Sequence, residues 1–426
     1  MKTIIIGAGF AGISAGITLK KNYIILEKED RPGGMCRSEK KNGFLFDYTG
    51  HLLHLRDPET EKFIRINSGA VLDRIERRSF IYSSGVYTGY PYQANNYGLP
   101  PEIMEENITG FMRAKLRKRK NTDNFKDWVL DTFGAGIAKN FMFPYNRKLW
   151  KYPLSELTLK WLGRFVPSPD ISEVIDGILA KGAANTGYNA SFYYPRSGGI
   201  ETVIKGMFEK VKKNTRTGKE AVSVDLKNKK VKCACGAEYS YDKLISTMPL
   251  KKFMRICGSR KLSDDSKKLK AVSVYSLNLG FKEKKGPLRH WVYVPEKEIP
   301  FYRMGFPHTF ARSNAPAGYS SVFTEVSFRG KIPENAEKKV IKGLMDMGII
   351  GSPEEIAVKL PLVLKDAYVI YNIEREKIVP KTEEFLRKRN VLLAGRWGKW
   401  EYSSMEDAVM EGADAAKKLN SIKGAV

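Results

Sequence analysis

A β-branched run, Thr3-Ile4-Ile5-Ile6, leads straight into Gly7-Ala8-Gly9-Phe10-Ala11-Gly12, and a helix-compatible stretch follows through Leu19. The order strand, glycine turn, helix constrains the fold more than any other feature of the chain. Gly7 permits the tight turn, Gly9 lets the backbone approach a pyrophosphate, and Gly12 allows the helix to pack closely on the strand. The helix start, with Phe10 and Ala11 in its first turn, offers free N–H groups to phosphates. Tyr23-Ile24-Ile25-Leu26 reads as a second strand, ending at Glu27, twenty residues beyond Gly7, with Lys28 next. An acid there suits a ribose hydroxyl pair. The bland reading of the glycines is a tight turn without ligand; their position, the strand context and Glu27 together favour a dinucleotide site.

The rest of the composition bounds the class. With 426 residues, 42% of them hydrophobic, the chain is long enough to divide a large core between two or three subdomains. No run of about 18 apolar residues occurs, and the chain enters a strand at Thr3 without a signal-type segment, so no transmembrane span and a cytoplasmic location are expected. Cys36, Cys233, Cys235 and Cys257 are too scattered for a disulfide framework, and no second Cys or His pair stands at finger spacing from Cys233-Ala234-Cys235. No metal site is expected. The net charge of +26 is spread along the chain. Such a field draws anionic ligands, but without a concentrated basic face or stacking aromatics it gives no reason to expect nucleic acid as a partner.

Further along, Phe80 to Tyr92 reads as a hairpin around Ser83-Ser84-Gly85. Residues 101 to about 181 read as a mainly helical insertion, in which Phe125, Trp128, Val129, Phe133, Ile137 and Phe141 recur at helical spacing and are expected in the core. Strands return at Phe192 to Pro195, Val222 to Val224 and Lys243 to Thr247. Val272 to Leu279, Trp291 to Pro295 and Ser320 to Ser327 suggest a second, largely antiparallel sheet. Val391 to Arg396 reads as a buried strand entering a turn, and Met405 to Leu419 as a helix.

Two sets of motifs carry a family resemblance. Gly33-Gly34-Met35-Cys36-Arg37, then Phe46-Asp47-Tyr48-Thr49-Gly50-His51, resembles the second glycine segment of the flavin amine-oxidase and protoporphyrinogen-oxidase superfamily. Trp128, Gly134 to Ala138, Pro144-Tyr145-Asn146, Lys148, Trp150, Trp161-Leu162-Gly163, Pro300-Phe301-Tyr302-Arg303 and Gly395-Arg396-Trp397-Gly398-Lys399-Trp400-Glu401-Tyr402 resemble UDP-galactopyranose mutase, especially its eukaryotic form. The glycine motifs are shared by the wider superfamily; the Pro144 to Trp150 and Arg396 to Tyr402 segments are far more specific.

The resemblance implies an α/β fold: a Rossmann-like FAD-binding domain (1–75, 190–250 and 385–426), a helical domain (101–189) and a substrate domain with a largely antiparallel sheet (76–100 and 251–384). It implies FAD, active in its reduced form, with NAD(P)H a candidate reductant. It further implies that flavin N5 attacks the anomeric carbon of a nucleoside-diphosphate sugar, so that the ring opens and recloses between pyranose and furanose without net electron transfer. Gly33, Gly34, Met35, Cys36, Arg37, Gly50, Gly395 and Arg396 then border the cofactor, together with Lys28. His51 matches the histidine beside the flavin. Gln93, Asn146, Trp150 and Asn189 match nucleotide-pocket positions; Tyr293, Tyr368 and Tyr402 match tyrosines around the diphosphate, and Arg303 an arginine that binds it. Arg77 matches a further pocket arginine. A homo-oligomer is compatible with all of this.

The sequence departs from that pattern at two places. The second diphosphate arginine falls on Phe165, with Arg164 one residue earlier as the substitute, and a tyrosine after Arg303 falls on Phe310. Losing one charge-assisted pair weakens a diphosphate by roughly ten- to a hundredfold. Three readings follow: a mutase for another sugar nucleotide, an FAD-dependent oxidoreductase of the amine oxidase or protoporphyrinogen oxidase type, and a flavin-dependent sensor at a membrane surface.

Overall fold

The computed structural model describes residues 2–117, 121–163, 166–179, 190–283 and 286–421. Strand β1 (Thr3–Ile6), helix α1 (Phe10–Leu19) and strand β2 (Tyr23–Leu26) form a βαβ unit with parallel pairing, Thr3 opposite Tyr23 and Ile6 opposite Leu26. Three distant segments complete a five-stranded parallel sheet: Lys243–Ser246 beside β1, Val391–Leu393 beyond it, and Thr215–Arg216 beside β2. Every residue of β1 and of Lys243–Ser246 is buried, so neither strand alternates. Helices cover both faces of such a sheet, which leaves no polar side to encode. The Met405–Ser421 helix lies along α1 and closes one face with Val409, Ala415, Ala416 and Leu419.

A seven-stranded sheet stands apart, in the order Ile356–Val369, Ala271–Lys282, Tyr319–Phe328, Arg303–Gly305, Trp291–Tyr293, Ser79–Ser83, Val86–Gly89. All pairs are antiparallel except Trp291–Tyr293 with Ser79–Ser83. The strands expected near 272–279, 291–295 and 320–327 are present, and so is the hairpin. Sequence reasoning passed over Ile356–Val369, a 14-residue strand. Pro361 obscures it: proline has no N–H to donate to a ladder, but this strand lies at the sheet edge, where only one side is paired.

The helical insertion contains Pro101–Leu116 and Phe125–Ile137, whose Phe125, Val129, Phe133 and Ile137 are fully buried as their spacing predicted. A π-helical turn at Ala138–Met142 then re-phases the chain into Phe143–Trp150. That last helix turns Tyr145 and Trp150 toward the second sheet. The four cysteines are free thiols, and among the described residues no helix is long and apolar enough to cross a membrane.

Candidate active site

The glycine turn is built from the chain's own backbone. Gly7 sits at φ +101, and its N–H donates to the Leu26 carbonyl at 2.8 Å, tying the turn to β2. Gly9 is the N-cap of α1, with no side-chain cap; a methyl group added there would meet nothing within 4 Å. The start of α1 therefore faces open space with uncapped N–H groups, as a phosphate requires. Glu27, almost fully buried, accepts from Ala8 N at 2.7 Å and Glu29 N at 3.0 Å. Those two bonds fix its direction and leave lone pairs for ribose hydroxyls.

The second glycine segment is drawn against the first: Gly33 N donates to the Ala8 carbonyl at 2.9 Å, and Gly34 passes close to Gly9. Arg37 donates to the carbonyls of Pro32 and Arg31, bracing its own loop. Cys36 is buried in the core, where desolvation pushes its thiol far above the usual range. Lys28 is mostly exposed and pairs with Glu29 at 2.7 Å.

His51 follows the short strand Phe44–Asp47. Its Nδ1 is enclosed without a hydrogen-bond partner, and burial, then the charges of Arg396 and Arg303, lower its pKa to about 4. The ring is neutral at physiological pH. Arg396 donates to the carbonyls of Ser403 at 2.8 Å and Ala367 at 3.0 Å, while its Nε has no partner. Ser403 Oγ is also buried without one. Buried polar atoms are normally paired. Three orphaned ones in one neighbourhood fit a ligand carrying hydrogen-bonding atoms, and a flavin ring has them.

Beyond His51 and Arg396 lies an aromatic cage. Sheet register places Tyr293, Arg303 and Glu325 in one row across three strands. Arg303 donates to Glu325 through Nη2 at 2.7 Å and Nε at 3.1 Å, and the Tyr302 hydroxyl donates to the same carboxylate. Burial opposes the Arg303 charge, but Glu325 and the adjoining phenols outweigh it and keep the group protonated. Tyr368 stacks on Tyr402 at 5.9 Å, Arg396 lies over Tyr402 at 4.7 Å, and Tyr302 and Tyr368 hydroxyls are 3.2 Å apart. The Phe143–Trp150 helix supplies the opposite wall: Tyr145 meets Tyr293 edge-on at 5.6 Å, and Trp150 meets Tyr368 at 6.0 Å. Asn146 orients Trp150 by accepting its indole N–H at 3.2 Å. Arg77, sandwiched between Tyr90 and Trp291, reaches the Tyr293 hydroxyl at 3.4 Å.

Gln93 is buried, its amide nitrogen donating to the Pro167 carbonyl at 2.7 Å and its oxygen unpartnered. Arg164, Phe165 and Asn189 lie outside the described residues. Phe310 packs with Phe192 and Tyr194 in a cluster against which Tyr293 of the cage also rests. Glu325 and the roles of Tyr145 and Tyr302 escaped sequence reasoning. The available signal was an acid inside the otherwise apolar and small-polar run Ser320 to Phe328.

The chain is 26% identical to a reduced UDP-galactopyranose mutase over 99% of its own length and 96% of that chain, with a TM-score of 0.94. A candidate protoporphyrinogen oxidase from Exiguobacterium sp. 255-15 (14% identical, 98% of each chain, TM-score 0.75) and putrescine oxidase bound to putrescine (14%, 98% of each, 0.70) share the fold. An uncharacterized protein in the nifH2 3'region of Methanothermococcus thermolithotrophicus is 36% identical over 56 residues, 12% of this chain. That match spans about half (54%) of the curated relative's own length. The family model for flavin containing amine oxidoreductase matches residues 10–420, and the chain belongs to that family.

Proposed function

We propose that this protein is an FAD-dependent sugar-nucleotide mutase that interconverts pyranose and furanose forms, like the UDP-galactopyranose mutase it resembles. The observation that carries the reading is the cage of Tyr145, Tyr293, Tyr302, Tyr368, Tyr402 and Trp150 around Arg303, set beside His51 and Arg396. Gly7, Gly9, Phe10, Ala11 and Gly12 would hold the cofactor's pyrophosphate, Glu27 its ribose, and Gly33 to Arg37, Gly50, His51, Gly395 and Arg396 its remaining flanks. When bound and reduced, the flavin supplies a nucleophile, so the reaction moves no net electrons.

The chain's own residues supply position and charge. Arg303 attracts the diphosphate, each charge-assisted bond contributing about 1.5–3 kcal/mol. The phenols of Tyr293, Tyr368 and Tyr402 donate to its oxygens, and their rings exclude water from the reacting carbon. His51 exchanges a hydrogen bond at Nδ1 without bringing a charge. Trp150, held by Asn146, and Gln93, with its free acceptor oxygen, recognise the nucleotide end. A second reading, an FAD-dependent oxidoreductase of the amine oxidase type, draws on the Arg303–Glu325 pair, which reduces the positive charge offered to a diphosphate.

Dithionite-reduced protein incubated with UDP-galactopyranose and a panel of other nucleoside-diphosphate hexoses is expected to yield a furanose isomer by chromatography. Oxidised protein should be inert, and no oxygen should be consumed. Turnover confined to oxidised protein with oxygen uptake would establish the second reading instead. Arg303→Ala should raise KM at least about tenfold while the protein stays yellow; an unchanged KM removes Arg303 from the site.

A further inference from the structure

Gly395 lies against the first turn of α1, so near that a Cβ added to it would stand 2.8 Å from the Ala11 Cβ. Its N–H donates to Glu411 Oε2 at 2.7 Å. This contact brings a carboxylate from the Met405–Ser421 helix beside the place where the reading above puts a doubly negative pyrophosphate. The Glu411 side chain retains only 14% exposure. Among the described residues Lys399 is the cation facing it, at 3.7 Å, and that lysine also serves Glu401 at 3.8 Å. Asp407, from the start of the same helix, adds a further negative charge nearby, offset in part by Arg56 at 3.6 Å. Helix α1 has no ionisable residue. Two further negative charges entering this half-buried group of acids raise the cost of an ionised Glu411.

We propose that Glu411 takes up a proton from solvent when a pyrophosphate occupies the first turn of α1, and that it holds the Gly395 turn in both protonation states. The inference rests on the assignment of FAD to that turn. The proton adds to Oε1, because Oε2 keeps the bond from Gly395, and no other bond forms or breaks. Burial, aided by Glu401 and Asp407, outweighs Lys399 and the Gly395 N–H and already brings this carboxyl up to about 7, so the exchange falls near neutral pH. Binding that takes up a proton weakens as pH rises.

Titration calorimetry of cofactor-free protein with FAD, in pairs of buffers of different ionisation enthalpy, reads the proton directly. Between about pH 7 and pH 9 the Kd should rise with pH, approaching tenfold per unit, with close to one proton taken up. Glu411→Gln, whose amide oxygen can still accept from Gly395, should bind FAD with a flat pH profile. Lys148, lowered by burial to about 7, also titrates in this span, but it lies on the Phe143–Trp150 helix. A Gln variant that keeps the slope would therefore overturn the assignment to Glu411. FAD binding by the wild type with no proton uptake overturns the inference alone, whether or not the variant folds. No FAD binding at any pH overturns the cofactor assignment, and this inference with it.

Discussion

Gly12→Ala should give colourless protein with a sharply lowered melting temperature. The added Cβ would stand 1.9 Å from the Gly7 carbonyl oxygen, 3.0 Å from its carbon and 3.4 Å from a methyl of Ile5. Two of these atoms are backbone within the turn itself, so no side chain can rotate away. Relief requires α1 to lift from β1, which opens the core around Ile5, Ala8, Ile13 and Ile25. Overpacking that cannot relax, combined with lost core contact, puts the cost near or above about 4 kcal/mol. Gly9→Ala is the companion measurement. Its backbone, at φ −85, suits alanine, and the new methyl meets no protein atom. That variant should melt like the wild type yet lose flavin affinity, because the methyl fills the space before the helix start. Visible flavin absorbance and a thermal melt check both; a yellow, stable Gly12→Ala protein would contradict the steric argument.

Glu325→Gln should destabilise the fold and tighten an anionic ligand at once. The Arg303 guanidinium would keep its charge in a site where its side chain is only 23% exposed, with its 1% exposed carboxylate partner neutralised. Breaking a buried pair by removing one charge costs about 3–5 kcal/mol; the residual exposure of Arg303 places this case near about 3 kcal/mol. Replacing both residues, as Arg303→Met with Glu325→Leu, should recover most of that stability and abolish ligand binding. With Glu325 neutral, Arg303 offers its full charge to a diphosphate, so the Kd for UDP should fall severalfold. Chemical denaturation and ligand titration on the wild type and these two variants test this; a stability loss with unchanged or weaker UDP affinity would show that Arg303 does not face the ligand.

The parts of this site that could be read from sequence are those whose partners lie close along the chain or in a rigid motif. Gly7 to Gly12 and Glu27 follow from one βαβ unit, where strand length fixes the spacing. Tyr293, Arg303, Tyr368 and Tyr402 came through resemblance to a family, not through any pattern of their own. Glu325 was hidden because its meaning depends on cross-strand register: it is an isolated acid until Tyr319–Phe328 pairs with Arg303–Gly305. Glu411 was hidden for the same kind of reason. On its helix it resembles any solvated glutamate, and only the return of the chain to α1 buries it. The Ile356–Val369 strand was missed because its proline signals a break everywhere except at an edge.

The parallel sheet has a consequence for how the protein is made. Its five strands come from residues 3–6, 23–26, 215–216, 243–246 and 391–393, with each neighbour pairing in parallel. On a ribosome, β1 and β2 emerge early but wait for Thr215–Arg216 and Lys243–Ser246 to fill their edges, and for the Met405–Ser421 helix that covers α1. Pairings of such long sequence separation form slowly, and the apolar strands stay open to aggregation in the meantime. A dinucleotide able to engage the emerging turn would shorten that exposure, so flavin supply during synthesis should govern the yield of folded protein as well as its colour.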